Sequence, residues 1–276
     1  MTIKLICIDM DGTLLVDTQK VSEENKKAIK EAINKGVHVA ITTGRLYGCA
    51  KLYSDSIGLK TPIIASNGAF IGDVNGDTIF ENPLSQDNIR DFLRITSKYD
   101  LFSYLTTNSN ILSFKEVPED HMYKVLNKSL KKDDQIIFHT LDNINSVYDF
   151  HDENILKGVC VEKSDFCKLN KAKEELKSCS SDLEIVSSWN NNFEVMKKGS
   201  SKGEAVKQLS KFLNINKEEV MCIGDSENDL SMIQYAGIGV AMGNASDEVK
   251  SKAQYVTDTN VNSGVAKAIQ KFVLNN

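Results

Sequence analysis

Residues 3–14 read IKLICIDMDGTL, and this stretch decides the fold. Ile3 to Ile8 is a short, β-rich apolar run that stops at a polar Asp-Met-Asp-Gly, the way a buried parallel strand ends at a functional loop. Asp9 and Asp11 flank Met10 there, so both carboxylates can leave the strand end into one pocket, where they repel unless a cation or a shared proton compensates. Gly12 permits a tight loop, and Thr13 adds a hydroxyl. Taken alone, Asp-x-Asp equally suits a solvated acidic turn.

Outward from that strand the pattern alternates. Ser22 is a good N-cap, with Glu23 and Glu24 in the first turn, Ala28, Ile29, Ala32 and Ile33 as an apolar stripe, and Gly36 to end the helix. Val37 to Ile41 reads as a second buried strand ending at Thr42-Thr43-Gly44-Arg45, and after another helical stretch Ile63 to Ala65 reads as a third. Strand, helix, strand, helix, strand implies an α/β fold with a parallel sheet. The pattern returns near the carboxyl end. A helix is expected from about 202 to 214, a strand at 220–223, a helix at 229–235, a strand at 239–242, a further helix, a strand at 255–257 and a final helix to about 273. In open α/β sheets ligands sit beyond the carboxyl ends of the strands, where the acidic and glycine-rich pieces fall.

Between these halves the texture changes. Asn75-Gly76 is a hairpin signal within 69–81. From 83 to 188, helices near 89–98, 122–130, 144–149 and 166–178 alternate with strands near 101–105, 111–114, 136–139, 156–161 and 183–186. This α+β stretch holds no catalytic motif, as expected of an inserted domain.

The 276 residues are 41% hydrophobic and 26% charged, the balance of a soluble globular chain able to bury a core. A net charge of -5 and the lack of a dense Lys/Arg stripe argue against a nucleic-acid partner. The first residues lack a charged leader and a long apolar run, so neither export nor a membrane anchor is expected, and the chain is expected in the cytoplasm. Six scattered cysteines have no metal-like spacing; Cys7 and Cys222 read as small core residues in strands. His38, His121, His139 and His151 have no metal-like spacing either, and packing or surface roles are expected of them. Trp189 and Phe193 read as packing residues, with lining of a substrate entrance as the other reading. The sequence does not fix an oligomeric state.

A second acidic loop follows the second half's first strand: Gly224-Asp225-Ser226-Glu227-Asn228-Asp229. Hard oxygen ligands without His or Cys suit magnesium, which takes one or two protein carboxylates, waters and substrate phosphate. Glu227 and Asp229 alone could be an acidic first helical turn. Thr43, at a strand end, suits phosphate binding or a helix cap equally. Lys202 follows Gly199-Ser200-Ser201 at a helix start, where it can bring an ammonium to carboxylates and phosphate or remain a solvated charge. Asn67 can face a substrate or stabilise its turn.

Together these pieces resemble the haloacid dehalogenase superfamily, with all four signature loops in order: DMDGTL, Thr43 in ITTGR, Lys202 in SKGEAV, and GDSENDL. The likeness extends to SNGAF at 66–70, MIQYAGIGVAMGNA at 232–245 and TDTNVNSGV at 257–265, which look like the Cof-type branch with its large cap between the second and third loops. The resemblance implies a Rossmann-like core with helices on both faces, residues 1–82 and 189–276, carrying an α+β cap at 83–188 that sets substrate choice. It further implies Asp9 as nucleophile and Asp11 as general acid/base. Gly12, Thr43, Gly44, Arg45, Asn67, Lys202 and Asn228 are then phosphate- or substrate-binding, and Asp9, Asp11, Asp225 and Asp229 hold Mg2+. Leu46 stands where many relatives have proline, and Ser226 where many have glycine. The implied activity is hydrolysis of a small phosphate ester, a sugar phosphate first, with pyridoxal phosphate and flavin mononucleotide as alternatives. A phosphomutase or a catalytically silent phosphometabolite-binding regulator are the competing readings.

Overall fold

The strand Leu5–Asp9 is buried along its whole length because it lies inside a sheet, parallel to Val220–Gly224 on one side and to His38–Thr42 on the other. The computed structural model describes residues 2–17, 20–150 and 153–275. Eight strands stand in the order Tyr255–Val256, Ile238–Ala241, Val220–Gly224, Leu5–Asp9, His38–Thr42, Ile63–Ala65, Phe70–Gly72 and Thr78–Glu81. The first six run parallel, and antiparallel pairing begins between Ile63–Ala65 and Phe70–Gly72. Register places Cys7 between Cys222 and Ala40. The six cysteines are free thiols, and Cys7 and Cys222 are buried as expected.

Alternation along the strands dictates two covered faces, since Leu5 and Cys7 point one way, Ile6 and Ile8 the other, and all four are fully buried. Helices Lys202–Phe212 and Leu230–Tyr235 bring Ala205, Val206, Leu209 and Met232 onto the face of Leu5, Cys7, Ala40 and Ile64. The helix Glu23–Asn34 starts at Ser22, whose Oγ accepts from the Asn25 N–H at 3.2 Å. It packs with the helix Gly264–Ile269, where the Ala266 N–H donates to Asn25 Oδ1 at 2.9 Å. Its buried stripe is Asn25, Ala28, Ile29 and Ala32; the expected fourth apolar member, Ile33, is exposed because it sits at the margin of the arc that faces the neighbouring helix. The hairpin turn at Asn75-Gly76 is present, held by the Asp73 carboxylate, which accepts from the N–H groups of Asn75, Gly76 and Asp77.

The chain divides into two units: one runs up to Gly44, resumes at Ser54–Phe80 and again from Ser201, and the other comprises Arg45–Tyr53 and Glu81–Ser200. In the second unit six strands stand in the order Leu183–Val186, Asn192–Lys197, Lys157–Val161, Phe102–Thr106, Asn110–Ser113 and Ile137–Thr140. All neighbours are antiparallel except the last pair. One face carries Leu105, Cys160, Phe193 and Val195 against the helices Gln86–Lys98 and Phe166–Cys179. A side chain at Gly158 would come within 2.8 Å of Phe92 and Val195, so that face needs glycine there. The opposite face carries Tyr104, Ile111 and Val159 against Leu46, Cys49, Val117 and Tyr123.

The expected limits of 83 and 188 shift. The strand Asn192–Lys197 was not expected, because the charge of Glu194 breaks its apolar pattern; it pairs with Lys157–Val161 and carries the second unit on to Ser200. Arg45–Tyr53 also packs with the second unit, through Leu46 and Cys49. Leu46 gains from not being proline: its N–H donates to Tyr123 Oη at 3.1 Å. Phe193 is core, edge-on to Phe92, whereas Trp189 is 72% exposed. His38 is exposed at its strand's start, His139 Nε2 pairs with Asn110 Oδ1 at 2.9 Å, and His151 lies outside the described residues.

Candidate active site

Asp9 is the last residue of its strand, and the chain then makes a wide turn over Met10–Leu14, closed by the Leu15 N–H on the Met10 carbonyl at 2.9 Å. Gly12 sits in that turn at φ +82°, and a Cβ on it would lie 2.5 Å from Asp225 Oδ2. Only glycine satisfies both demands, the left-handed backbone and the close approach. Asp225 follows the adjacent strand Val220–Gly224, and its carboxylate accepts from Thr13 Oγ at 2.8 Å and Ser226 Oγ at 3.1 Å.

Lys202 opens the helix Lys202–Phe212, whose N-cap Ser201 accepts from the Glu204 N–H. Its ammonium is fully buried and donates to Asp9 Oδ1 at 2.5 Å and Asp229 Oδ1 at 2.6 Å. Asp229 Oδ2 accepts from the N–H groups of Asp225 and Ser226 at 2.9 and 3.0 Å. Carboxylate oxygens of Asp9, Asp225 and Asp229 lie within 4.8 Å of one another, so three acids crowd around one ammonium. Burial, reinforced by the Asp229 charge, raises the Asp9 carboxyl well above the usual range against the pull of Lys202. The same two causes push Asp225 up to about 6. Burial works against the Lys202 charge, but Asp229 and Asp9 outweigh it and hold the ammonium above its ordinary value.

A second group of loops closes the neighbouring strand ends. Thr43, buried just after His38–Thr42, donates its N–H to the Ile64 carbonyl at 2.9 Å and accepts from the Asn67 N–H at 3.0 Å. Asn67 sits at φ +54°, and its Oδ1 accepts from Asn228 Nδ2 at 3.1 Å. A Cβ on Gly44 would come 3.0 Å from that same Oδ1. Thr43, Gly44, Asn67 and Asn228 are thus assembled as one group.

Not every expected residue joins the buried centre. Asp11 is exposed and outside the set of three converging carboxylates, because its position beyond the strand end turns it to the surface of the turn. Asp229 is inside the set, yet both its oxygens are already occupied. Arg45 belongs to the segment that packs with the second unit. Several residues were missed. Asn244 donates from Nδ2 to the Gly12 carbonyl at 2.8 Å, and Asn260 donates to the Leu15 carbonyl at 2.8 Å, so two asparagines hold the turn after Asp9. Ser231 Oγ accepts the Gly203 N–H at 3.0 Å. Ser66 is fully buried at φ +50°, with no hydrogen-bond partner for its Oγ among the described residues. The position of Asn244 just past a core strand was a usable signal; the strain at Ser66 leaves none in sequence.

With this geometry in view, comparison with known proteins is direct. The profile of haloacid dehalogenase-like hydrolases matches residues 6–269. A Bacillus subtilis protein named 5-amino-6-(5-phospho-D-ribitylamino)uracil phosphatase YcsE is 38% identical over 274 residues, covering 99% of this chain and 96% of that one. Phosphatase YwpJ, also from Bacillus subtilis, is 33% identical, with 98% of this chain and 100% of that one covered. The solved structure of a haloacid dehalogenase-like hydrolase from B. subtilis superposes with a TM-score of 0.86 at 31% identity, covering 98% of this chain and 100% of that one. No helix among the described residues is long and apolar enough to cross a membrane.

Proposed function

Because the chain belongs to the haloacid dehalogenase-like hydrolases, we propose that it is a magnesium-dependent phosphatase that passes a phosphoryl group through Asp9. The observation that carries this reading is the buried triangle in which Lys202 bridges Asp9 and Asp229 beside Asp225. Such a site offers a carboxylate nucleophile, a fixed cation for phosphoryl oxygens and an excess of acidic oxygens for a metal.

The donor set fits magnesium: all its ligand atoms are hard oxygens, no His or Cys shares the cluster, and one ammonium leaves the three carboxylates under-neutralised. Asp9 and Asp225 are the ligands in this reading, and Asp229, with both oxygens engaged, positions Lys202 and the Asp225 loop. Magnesium supplies charge neutralisation at the phosphoryl oxygens.

Asp9 attacks phosphorus in line, forming the new P–O bond as the bond to the leaving alkoxide breaks. Asp11, protonated, gives its proton to that alkoxide; its exposed position in the turn suits exchange with substrate and water. It then takes a proton from the water that cleaves the aspartyl-phosphate. Lys202 and the group around Thr43, Gly44, Asn67 and Asn228 hold the phosphoryl oxygens.

The substrate is a small phosphorylated metabolite with a sugar-like carbon chain, a class that includes the phosphoribityl group in the relative's name. The test is a phosphate-release screen over sugar phosphates, ribityl phosphates, pyridoxal phosphate and flavin mononucleotide, with magnesium present and then chelated. Release confined to magnesium-containing reactions is expected; isomerised product with no free phosphate would replace hydrolysis by mutase chemistry.

A further inference from the structure

Two stretches singled out in the sequence, 232–245 and 257–265, hold none of the residues of the buried centre, yet both reach the turn that carries Asp11. Asn244 lies past the strand Ile238–Ala241 and Asn260 past the strand Tyr255–Val256, all within the first unit. The Gly243 N–H donates to the Asp258 carbonyl at 3.0 Å, and a Cβ on Gly243 would lie 2.9 Å from the Thr259 nitrogen, so the two loops are zipped together. The Asn260 N–H donates to Asn244 Oδ1 at 2.9 Å. Asn244 Nδ2 donates to the Gly12 carbonyl, and Asn260 Nδ2 to the Leu15 carbonyl, each at 2.8 Å. A backbone N–H can only donate and a carbonyl can only accept, so Asn244 must present an acceptor and a donor at once, as a carboxamide does.

Asp11 and Gly12 have φ/ψ of −81°/118° and 82°/−9°, the dihedrals of the two central residues of a type II turn. Glycine is demanded at the second of these positions, but it is also the residue with the most freedom to leave that conformation. The peptide after Gly12 is pinned from two sides: its carbonyl by Asn244, and Thr13 by the bond from its Oγ to Asp225. Asp11 is thereby held between two fixed points, the strand end at Asp9 and the peptide that follows Gly12. Asn244 is exposed and Asn260 half-buried, so water would satisfy the same carbonyls in their absence, and the fold gains little from either. What they add is the place at which the turn is held.

We infer that Asn244 and Asn260 are positioning residues, which fix the turn so that the Asp11 carboxyl meets the leaving group. This rests on the phosphatase reading above. Catalysis by a placed group falls steeply when its geometry loosens, so the step that uses Asp11 suffers while attack by Asp9 does not.

The experiment measures kcat/KM for phenyl phosphate, whose leaving group needs a proton, and for p-nitrophenyl phosphate, whose leaving group scarcely does, in the wild type, Asn244→Ala and Asn260→Ala. The ratio of the first to the second should fall about tenfold or more in Asn244→Ala, and in the same direction in Asn260→Ala. In an Asp11→Asn background, Asn244→Ala should leave the ratio unchanged, because both changes act through one group. Equal losses on the two esters in Asn244→Ala, or no loss, overturn the proposal, as does a further fall of the ratio in the Asp11→Asn background. Hydrogen exchange gives a second readout that needs neither substrate nor metal. The peptide spanning residues 10–16 should exchange about tenfold faster in Asn244→Ala, with the strand 5–9 unchanged; equal exchange removes the clamp. If the wild type cleaves neither ester, the phosphatase reading fails by itself, and exchange alone decides whether the asparagines hold the turn.

Discussion

Asp229 ties Lys202 to the loop of Asp225: one of its oxygens takes the lysine ammonium at 2.6 Å while the other takes the backbone N–H groups of Asp225 and Ser226. Both jobs need an anion with acceptors on two sides. Asp229→Asn turns an NH2 toward one of these donors and leaves Lys202 with half its buried counter-charge. Breaking a buried pair from one side costs about 3–5 kcal/mol. Urea unfolding should show a loss of that order, and kcat should fall together with it; a variant as stable as the wild type would remove Asp229 from this role.

The two aspartates of the first loop should separate on mutation. Asp9→Asn replaces the attacking carboxylate by an amide, so no phosphoenzyme forms. Asp11→Asn keeps the nucleophile and loses an acid/base worth about 100- to 10,000-fold. With a good leaving group it should still be phosphorylated, and the intermediate should persist. Acid quench and mass spectrometry of the peptide spanning residues 5–20 should find the added phosphoryl group in Asp11→Asn and not in Asp9→Asn.

Chelation should abolish phosphate release, and magnesium should restore it. Calcium should restore much less, since its larger and looser shell would misplace Asp9 relative to Asp225. Full turnover in metal-free protein would contradict the cation assignment.

Gly12→Ala tests the approach of the first loop to Asp225. The new Cβ would meet Asp225 Oδ2 at 2.5 Å in a backbone at φ +82°. The strain costs about 1–3 kcal/mol, and relief requires Asp225 to move. A magnesium titration of activity should shift to higher concentration, with Thr13→Val as the milder companion because it removes one hydrogen bond to Asp225. An unshifted titration in both would mean that Asp225 is not held by this loop.

His121 should make the second unit acid-sensitive. It caps the helix Met122–Asn127 through Nδ1 and lies edge-on to Tyr104 and Phe138. Burial, helped by Lys124 and opposed by Asp120, lowers its pKa from 6.5 to about 4. The unfolded chain therefore binds a proton in this window that the folded chain refuses. Stability contributed by the neutral imidazole is complete above about 6.5 and is lost as pH falls toward 4. His121→Asn keeps a capping side chain without the titration, so its melting temperature should vary less with pH between 6.5 and 4 than that of the wild type; equal slopes would assign the sensitivity elsewhere.

The strands Leu5–Asp9 and Val220–Gly224 were legible because each is an unbroken apolar run that stops at an acid or a glycine, with Asp9 and Asp225 at those stops; Thr43 follows a third strand and Lys202 opens a helix. The double engagement of Asp229 was not legible, since it depends on where two backbone N–H groups point. Nor was the strand Asn192–Lys197, whose Glu194 is buried against Lys157 where a sequence reader expects solvent. Ser66 adopts positive φ without being glycine, and nothing in its identity announces it, whereas Asn67 beside it is of a residue type that enters the left-handed region more readily.

The passage of Arg45–Tyr53 into the second unit has a practical consequence for anyone who would exchange that unit between related proteins. The polypeptide crosses between the units at 44/45, 53/54, 80/81 and 200/201, so the second unit is sewn in by four threads rather than hung from two. Cutting out a single stretch such as 83–188 would strand Leu46 and Cys49 without Tyr104, Ile111 and Tyr123, and leave Asn192–Lys197 as a lone strand with no sheet. A transplant that respects the architecture must carry both pieces, 45–53 together with 81–200, because only together do they bring the whole second unit.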